Sequence, residues 1–200
     1  MLSLHGLYQN VHDGEISPPG YYVLLHEWSY HVGSQREWVM RLPSVLAGVA
    51  LVAAVYWLAG LVADRRTAGL ASLGAAISPL VLAFAQEARA YIFTMLLVTL
   101  AAAAVIEARR RERGRARILW LLAAGLATIA ACWTHYTANL VLVPLFVWFA
   151  WRPGMASQGR VALPLLCVLV EAPLVPLLSY QLGQGHEAAH RGQRELEPWP

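Results

Sequence analysis

The chain has 200 residues, 58% of them hydrophobic and 14% charged, with a formal net charge of +3. A soluble domain carries about 25% charge, and the apolar blocks here are as long as the roughly 17–25 residues that cross a hydrocarbon core. The composition excludes an ordinary soluble domain and predicts an all-α, polytopic transmembrane helix bundle of about six spans. All fifteen basic residues are arginine, a compositional bias with no chemistry read into it. The charge total says little about partners, and no nucleic acid is expected among them.

The segment 1–41 precedes the first span. Within it, SPPGYYVLLHEWSYHVG places Tyr21, Leu24, Leu25, Trp28 and Val32 at helical spacing, with His26, Glu27, Tyr30 and His31 on the other face. Ser17 with Pro18 and Pro19 starts this helix and Gly33 ends it. About a dozen residues with aromatics on one side make an interfacial amphipathic helix, too short to cross. His26 and His31 stand five apart, a spacing that does not stack them as a metal or haem pair.

Leu42–Val62 is the first span. Ala68–Ala85 and Ala90–Ile106 follow, and as one straight helix they would be nearly twice as long as a bilayer core is thick, at about 1.5 Å per residue against about 30 Å. The chain must turn, and Gln86-Glu87-Ala88-Arg89 is the polar place to do so. Charged residues cost roughly 2.5–3.5 kcal/mol at a helix centre, so this knot belongs at a membrane surface. Ile118–Trp133, Ala138–Trp151 (with Pro144) and Val161–Leu182 (with Glu171, Pro173 and Pro176) complete a 42–182 bundle, followed by an outer segment 183–200. Cys132 and Cys167 lie inside spans and have neither metal-site nor disulfide spacing.

Arginine placement orients the layout. Arg65, Arg66, Arg109, Arg110, Arg111, Arg113, Arg115, Arg117, Arg152 and Arg160 fall in loops on one side. Arg36, Arg41, Arg89, Arg191 and Arg194 fall on the other. The positive-inside bias puts the first group in the cytoplasm and the Gln86–Arg89 turn outside. The run 109–117 is read first as a topology signal and second as an anionic-lipid clamp.

Four clusters then converge on the outer side: Asp13-Gly14-Glu15 with Ser17–Tyr22, Arg41–Ser44, Gln86–Tyr91, and Thr134-His135-Tyr136. Arg41 and Arg89 are fit to hold a phosphate by charge-assisted hydrogen bonds. Glu87 and His135 can serve as acid, base or metal ligand. On a continuous helix Glu87 and Tyr91 would share a face, as would Gln86 and Arg89.

PPGYYVLLHEW, RLPSVLAG and ISPLVLAFAQEARAY, in this order and spacing, resemble the membrane glycosyltransferases of the GT-C superfamily. The nearest group is the bacterial branch similar to protein mannosyltransferases and lipid A aminoarabinose transferases. The likeness covers about residues 11–140, and Thr134-His135-Tyr136 and Ser179-Tyr180-Gln181 extend it loosely. It implies transfer of a sugar from a polyprenyl-phosphate donor to a lipid, glycan or protein acceptor at the outer face of a bacterial inner membrane, among membrane lipids. Tyr21, Tyr22, Arg41, Gln86, Glu87, Arg89, Tyr91, His135 and Tyr136 are the substrate-binding candidates, with no cofactor assigned and room left for a divalent metal.

In the resembling family the catalytic acid is an Asp-Glu pair in the first outer loop, well ahead of the PP-x-YY element. This chain begins too late to contain it. The acid is therefore expected upstream of Met1, and the chain is expected to be a fragment or to have a start assigned too far downstream. Asp13 matches the acid often found ahead of the two prolines; it and Glu15 are weak catalytic candidates. Two other readings stand beside the transferase: a transporter, which broken helices and Glu171 would fit, and an inactive truncated subunit.

Overall fold

A computed structural model describes residues 18–34, 36–111 and 114–150, with 172, 175, 176 and 179. Among these the chain is all-helical: α1 (Gly20–Val32), α2 (Glu37–Val62), α3 (Arg65–Ile77), α4 (Pro79–Gln86), α5 (Tyr91–Arg110), α6 (Arg115–Thr134), a 3-10 turn (Tyr136–Ala138) and α7 (Asn139–Ala150). Three of them, α2, α5 and α6, are long and apolar enough to cross a membrane, and α3 with α4 makes a fourth, broken span. The chain is a multi-pass membrane protein. Apart from those four isolated positions, the expected Val161–Leu182 span, with Glu171, lies outside the described residues. Asp13 and Glu15 lie outside them too, as does Met1, ahead of which the acidic pair is expected.

Helix α5 sits at the centre. On one side its Ala101, Ala104, Val105 and Ala108 pack with Ala124, Ala131 and Cys132 of α6 and Leu142 and Phe146 of α7. On the other, Ile92 meets Ala47 and Leu51 of α2 and Val81 of α4. Small alanines let helix backbones approach closely, which is how helices associate in lipid, where burial of apolar surface gives no advantage. Leu119, Leu122 and Leu126 form an exposed stripe along α6, the face such a helix turns to acyl chains.

Two expectations are revised. The 68–85 span is not straight: it bends by 53° at Ser78, because Pro79 lacks the N–H and ring space to continue the helix, while the Ser78 hydroxyl caps α4 by accepting from Val81 N–H. The first span starts at Glu37 rather than Leu42, with Pro43 inside the helix. Pro43 withdraws the donor that would have met the Val39 carbonyl. Trp28 of α1 supplies a replacement, its Nε1–H donating to Val39 O at 2.9 Å.

Helix α1 runs between the expected limits and ends at Gly33. At about 20 Å long it does not reach across a bilayer core. Its burial pattern is narrower than the periodicity suggests: Tyr21 is buried, whereas Leu24 and Val32 are open. Those two line an apolar groove of about 660 Å³ between α1, α2 and α5, whose wall includes Trp28, Pro43, Leu46, Ala50 and Phe93, with Glu27 and His31 also on it.

Candidate functional site

The polar knot is a non-helical turn. Helix α4 stops at Gln86, residues 87–90 are bends, and α5 begins at Tyr91. The shared helical faces expected for Glu87 with Tyr91 and for Gln86 with Arg89 therefore do not exist, because no helix runs through the segment. The turn is clamped at its base, where the Phe84 and Tyr91 rings lie 4.8 Å apart. Above that clamp Gln86, Glu87 and Arg89 are exposed, and among the described residues neither Glu87 nor Arg89 has an ion pair.

Close packing sets the depth of this turn. An added Cβ on Gly48 of α2 would stand 2.9 Å from the Ala85 Cβ, so glycine there lets the end of α4 lie directly on α2. The same principle seats α1. A Cβ on Gly20 would fall 2.4 Å from the Trp133 carbonyl oxygen of α6, a clash with backbone that cannot yield.

His135 follows α6 immediately and joins the turn through Tyr91, with ring centroids 5.3 Å apart. Its Nδ1 accepts from the Thr137 backbone N–H at 3.2 Å and lies 2.9 Å from the Thr137 hydroxyl. A ring nitrogen that accepts from an amide carries no proton, so Nε2 holds the proton of the neutral ring. Burial lowers the pKa of His135 from its ordinary value and favours that neutral form. His135 is thus a hydrogen-bond donor through Nε2. Burial raises the pKa of Tyr136 beside it, keeping the phenol protonated.

Tyr21 and Tyr22 pack edge to face at 5.5 Å, and Tyr21 also meets Phe93 of α5 at 5.5 Å. Tyr21 is 2% exposed and lines a small cavity between α1, α5 and α6. Its hydroxyl lies against Ser44 of α2, yet neither oxygen completes a hydrogen bond of full geometry. Arg41, three residues before Ser44, is exposed and pairs with Glu37 one turn back. Tyr21, Tyr22, Arg41, Gln86, Glu87, Arg89, Tyr91, His135 and Tyr136 therefore gather at one end of the bundle. Arg41 stands apart from the Tyr91–His135 contact, held by its own helix. The weak catalytic candidates Asp13 and Glu15 fall outside the described residues.

A second apolar cavity, about 280 Å³, opens between α1, α5 and α6 beside Trp133 and Thr134, and it shares Leu24 and Phe93 with the larger groove. The two cavities therefore flank the same pair of side chains, one reaching Trp133 and Thr134 just before His135 and the other lying along α1. Phe84, Phe93 and Thr137 shape this end and were not among the residues singled out by sequence. Only Thr137 had a readable signal, a hydroxyl two residues beyond a histidine at a helix end. Among the described residues no three His, Cys, Asp or Glu side chains are grouped to hold a metal ion.

Membrane-spanning helices with a polar turn and apolar cavities near one end define a multi-pass helical membrane protein. Residues 17–180 match the family model for dolichyl-phosphate-mannose-protein mannosyltransferase, and the chain belongs to that family of membrane glycosyltransferases. No curated protein and no solved structure matches it.

Proposed function

We propose that the protein moves a sugar from a polyprenyl-phosphate donor to a hydroxyl acceptor at the outer face of a bacterial inner membrane. The C1–O bond to the lipid phosphate breaks and a C1–O bond to the acceptor forms. The acceptor proton passes to a carboxylate, and the lipid phosphate leaves. Arg89 binds that phosphate, with Arg41 as a second cation, and His135 donates to it through Nε2–H. Glu87, Gln86, Tyr22, Tyr91 and Tyr136 border the sugar, and Tyr21 holds α1 in place beneath them.

One observation carries this reading: the smaller apolar cavity reaches Trp133 and Thr134, just before His135, whose Nδ1 is an acceptor and whose ring packs on Tyr91 at the foot of the Gln86–Arg89 turn. A lipid-linked phosphate needs that combination, an apolar recess for the tail with a donor beside it. The family match supports the same chemistry. Membranes bearing the protein should form labelled glycoconjugate from a radiolabelled polyprenyl-phosphate sugar and none from the free nucleotide sugar. Direct use of the nucleotide sugar would overturn the donor assignment.

A further inference from the structure

The opposite end of the bundle carries arginines of two kinds. Arg110 donates to the Leu61 carbonyl in the last turn of α2. The Arg109 guanidinium lies 3.7 Å over the Trp148 ring of α7, and Arg111 pairs with Glu107 at 3.0 Å. These three side chains are spent on the protein itself. Arg65 and Arg66 in the first turn of α3, and Arg115 and Arg117 in the first turn of α6, are not. Among the described residues none of the four has an ion pair or a side-chain hydrogen bond. Arg65, Arg66 and Arg115 are exposed and Arg117 half-buried.

All four lie at one level. The Arg110–Leu61 bond brings the end of α5 to the end of α2, and Arg65 follows Val62 by three positions. Trp120, one turn into α6, meets Trp57 near the end of α2 with ring centroids 5.6 Å apart. Trp57, Trp120 and Trp148 thus mark this end with an aromatic belt, which in membrane proteins sits at headgroup depth. The four guanidiniums also occupy helix starts, where the macrodipole disfavours cations. The Asp64 carboxylate caps the start of α3, no side chain caps the start of α6, and a negative partner outside the chain would offset the repulsion that remains.

We propose that Arg65, Arg66, Arg115 and Arg117 form a binding surface for the headgroup of an anionic glycerophospholipid. Guanidinium forks match the oxygens of a phosphodiester, and juxtamembrane basic clusters at this depth attract anionic lipid. The surface is separate from the sugar-donor end and rests only on the membrane placement of the helices.

Native mass spectrometry of the full chain in detergent, with phosphatidylglycerol or phosphatidylcholine of matched acyl chains, tests it. Phosphatidylglycerol should be retained about tenfold better than phosphatidylcholine, and the quadruple variant R65Q/R66Q/R115Q/R117Q should remove that preference. R36Q, a cation at the other end, should leave it intact. Millimolar inorganic phosphate should not displace the lipid. Where the quadruple variant does not fold, R65Q/R66Q alone should lower the preference about threefold. The proposal is overturned by equal retention of the two lipids, by an unchanged preference in the folded arginine variants, by equal loss in R36Q, or by displacement with phosphate.

Discussion

Thr137 holds His135 twice, through its backbone N–H and its hydroxyl, and that geometry decides which nitrogen can meet a ligand. Protonation of Nδ1 would break the hydrogen bond it accepts from the Thr137 N–H, and burial already lowers the pKa of the ring. The folded state therefore resists a proton that the unfolded chain accepts near pH 6.5, the ordinary imidazole value. Stability from this source is full above about pH 6.5 and is lost as the pH falls through the lower, folded value. His135→Gln should flatten the fall in thermal stability that sets in below about pH 6.5, measured by unfolding in detergent. An identical pH slope in the variant would remove His135 as its source. Sequence named His135 as a polar group at the right end; it did not reveal its tautomer, which depends on a partner two residues away in a 3-10 turn. The burial of Tyr21 was not legible, because an interfacial tyrosine and a buried one have the same local pattern.

Pro43 and Trp28 show the same limit at the level of elements. A proline seven residues into a helix leaves the carbonyl four back without its donor, and that loss is visible in sequence. The donor that replaces it comes from a different helix, and only the packed structure shows it. Val39 is buried at 3% exposure, so Trp28→Phe keeps an aromatic ring in place but strands a carbonyl, at a cost of about 1–3 kcal/mol. A thermal-shift measurement should show a clear drop, and an unchanged midpoint would mean that water or another donor serves Val39. Hydropathy and flanking charge were enough to locate α1, α5, α6 and the Gln86–Arg89 turn. They did not find the 53° bend at Ser78, since the apolar run continues through Ser-Pro without a change in composition.

The whole molecule is polarised along the helix axes. Trp38 and Trp57 on α2 are nineteen residues apart, about 28 Å at the helical rise, which is close to the thickness of a hydrocarbon core. One end holds the uncommitted polar turn, His135 and the small cavity beside Trp133 and Thr134. The other holds seven described arginines against Asp64 and Glu107, two of them, Arg109 and Arg110, fastening helices together. That asymmetry is the part of the architecture that sequence conveyed best, because it follows from charge counts beside apolar blocks. The smaller cavity was not legible, since it is made by Leu24, Phe93 and Trp133 meeting from three different helices.

The most direct test of the account is the affinity of the full chain, reconstituted in lipid, for a fluorescent polyprenyl phosphate. Wild-type protein should bind it saturably, and Arg89→Ala should weaken binding about tenfold, the loss of roughly 1.4 kcal/mol from one charge-assisted contact. Saturable binding that Arg89→Ala leaves unchanged would place the phosphate elsewhere, and an absence of saturable binding would contradict the lipid-phosphate donor itself.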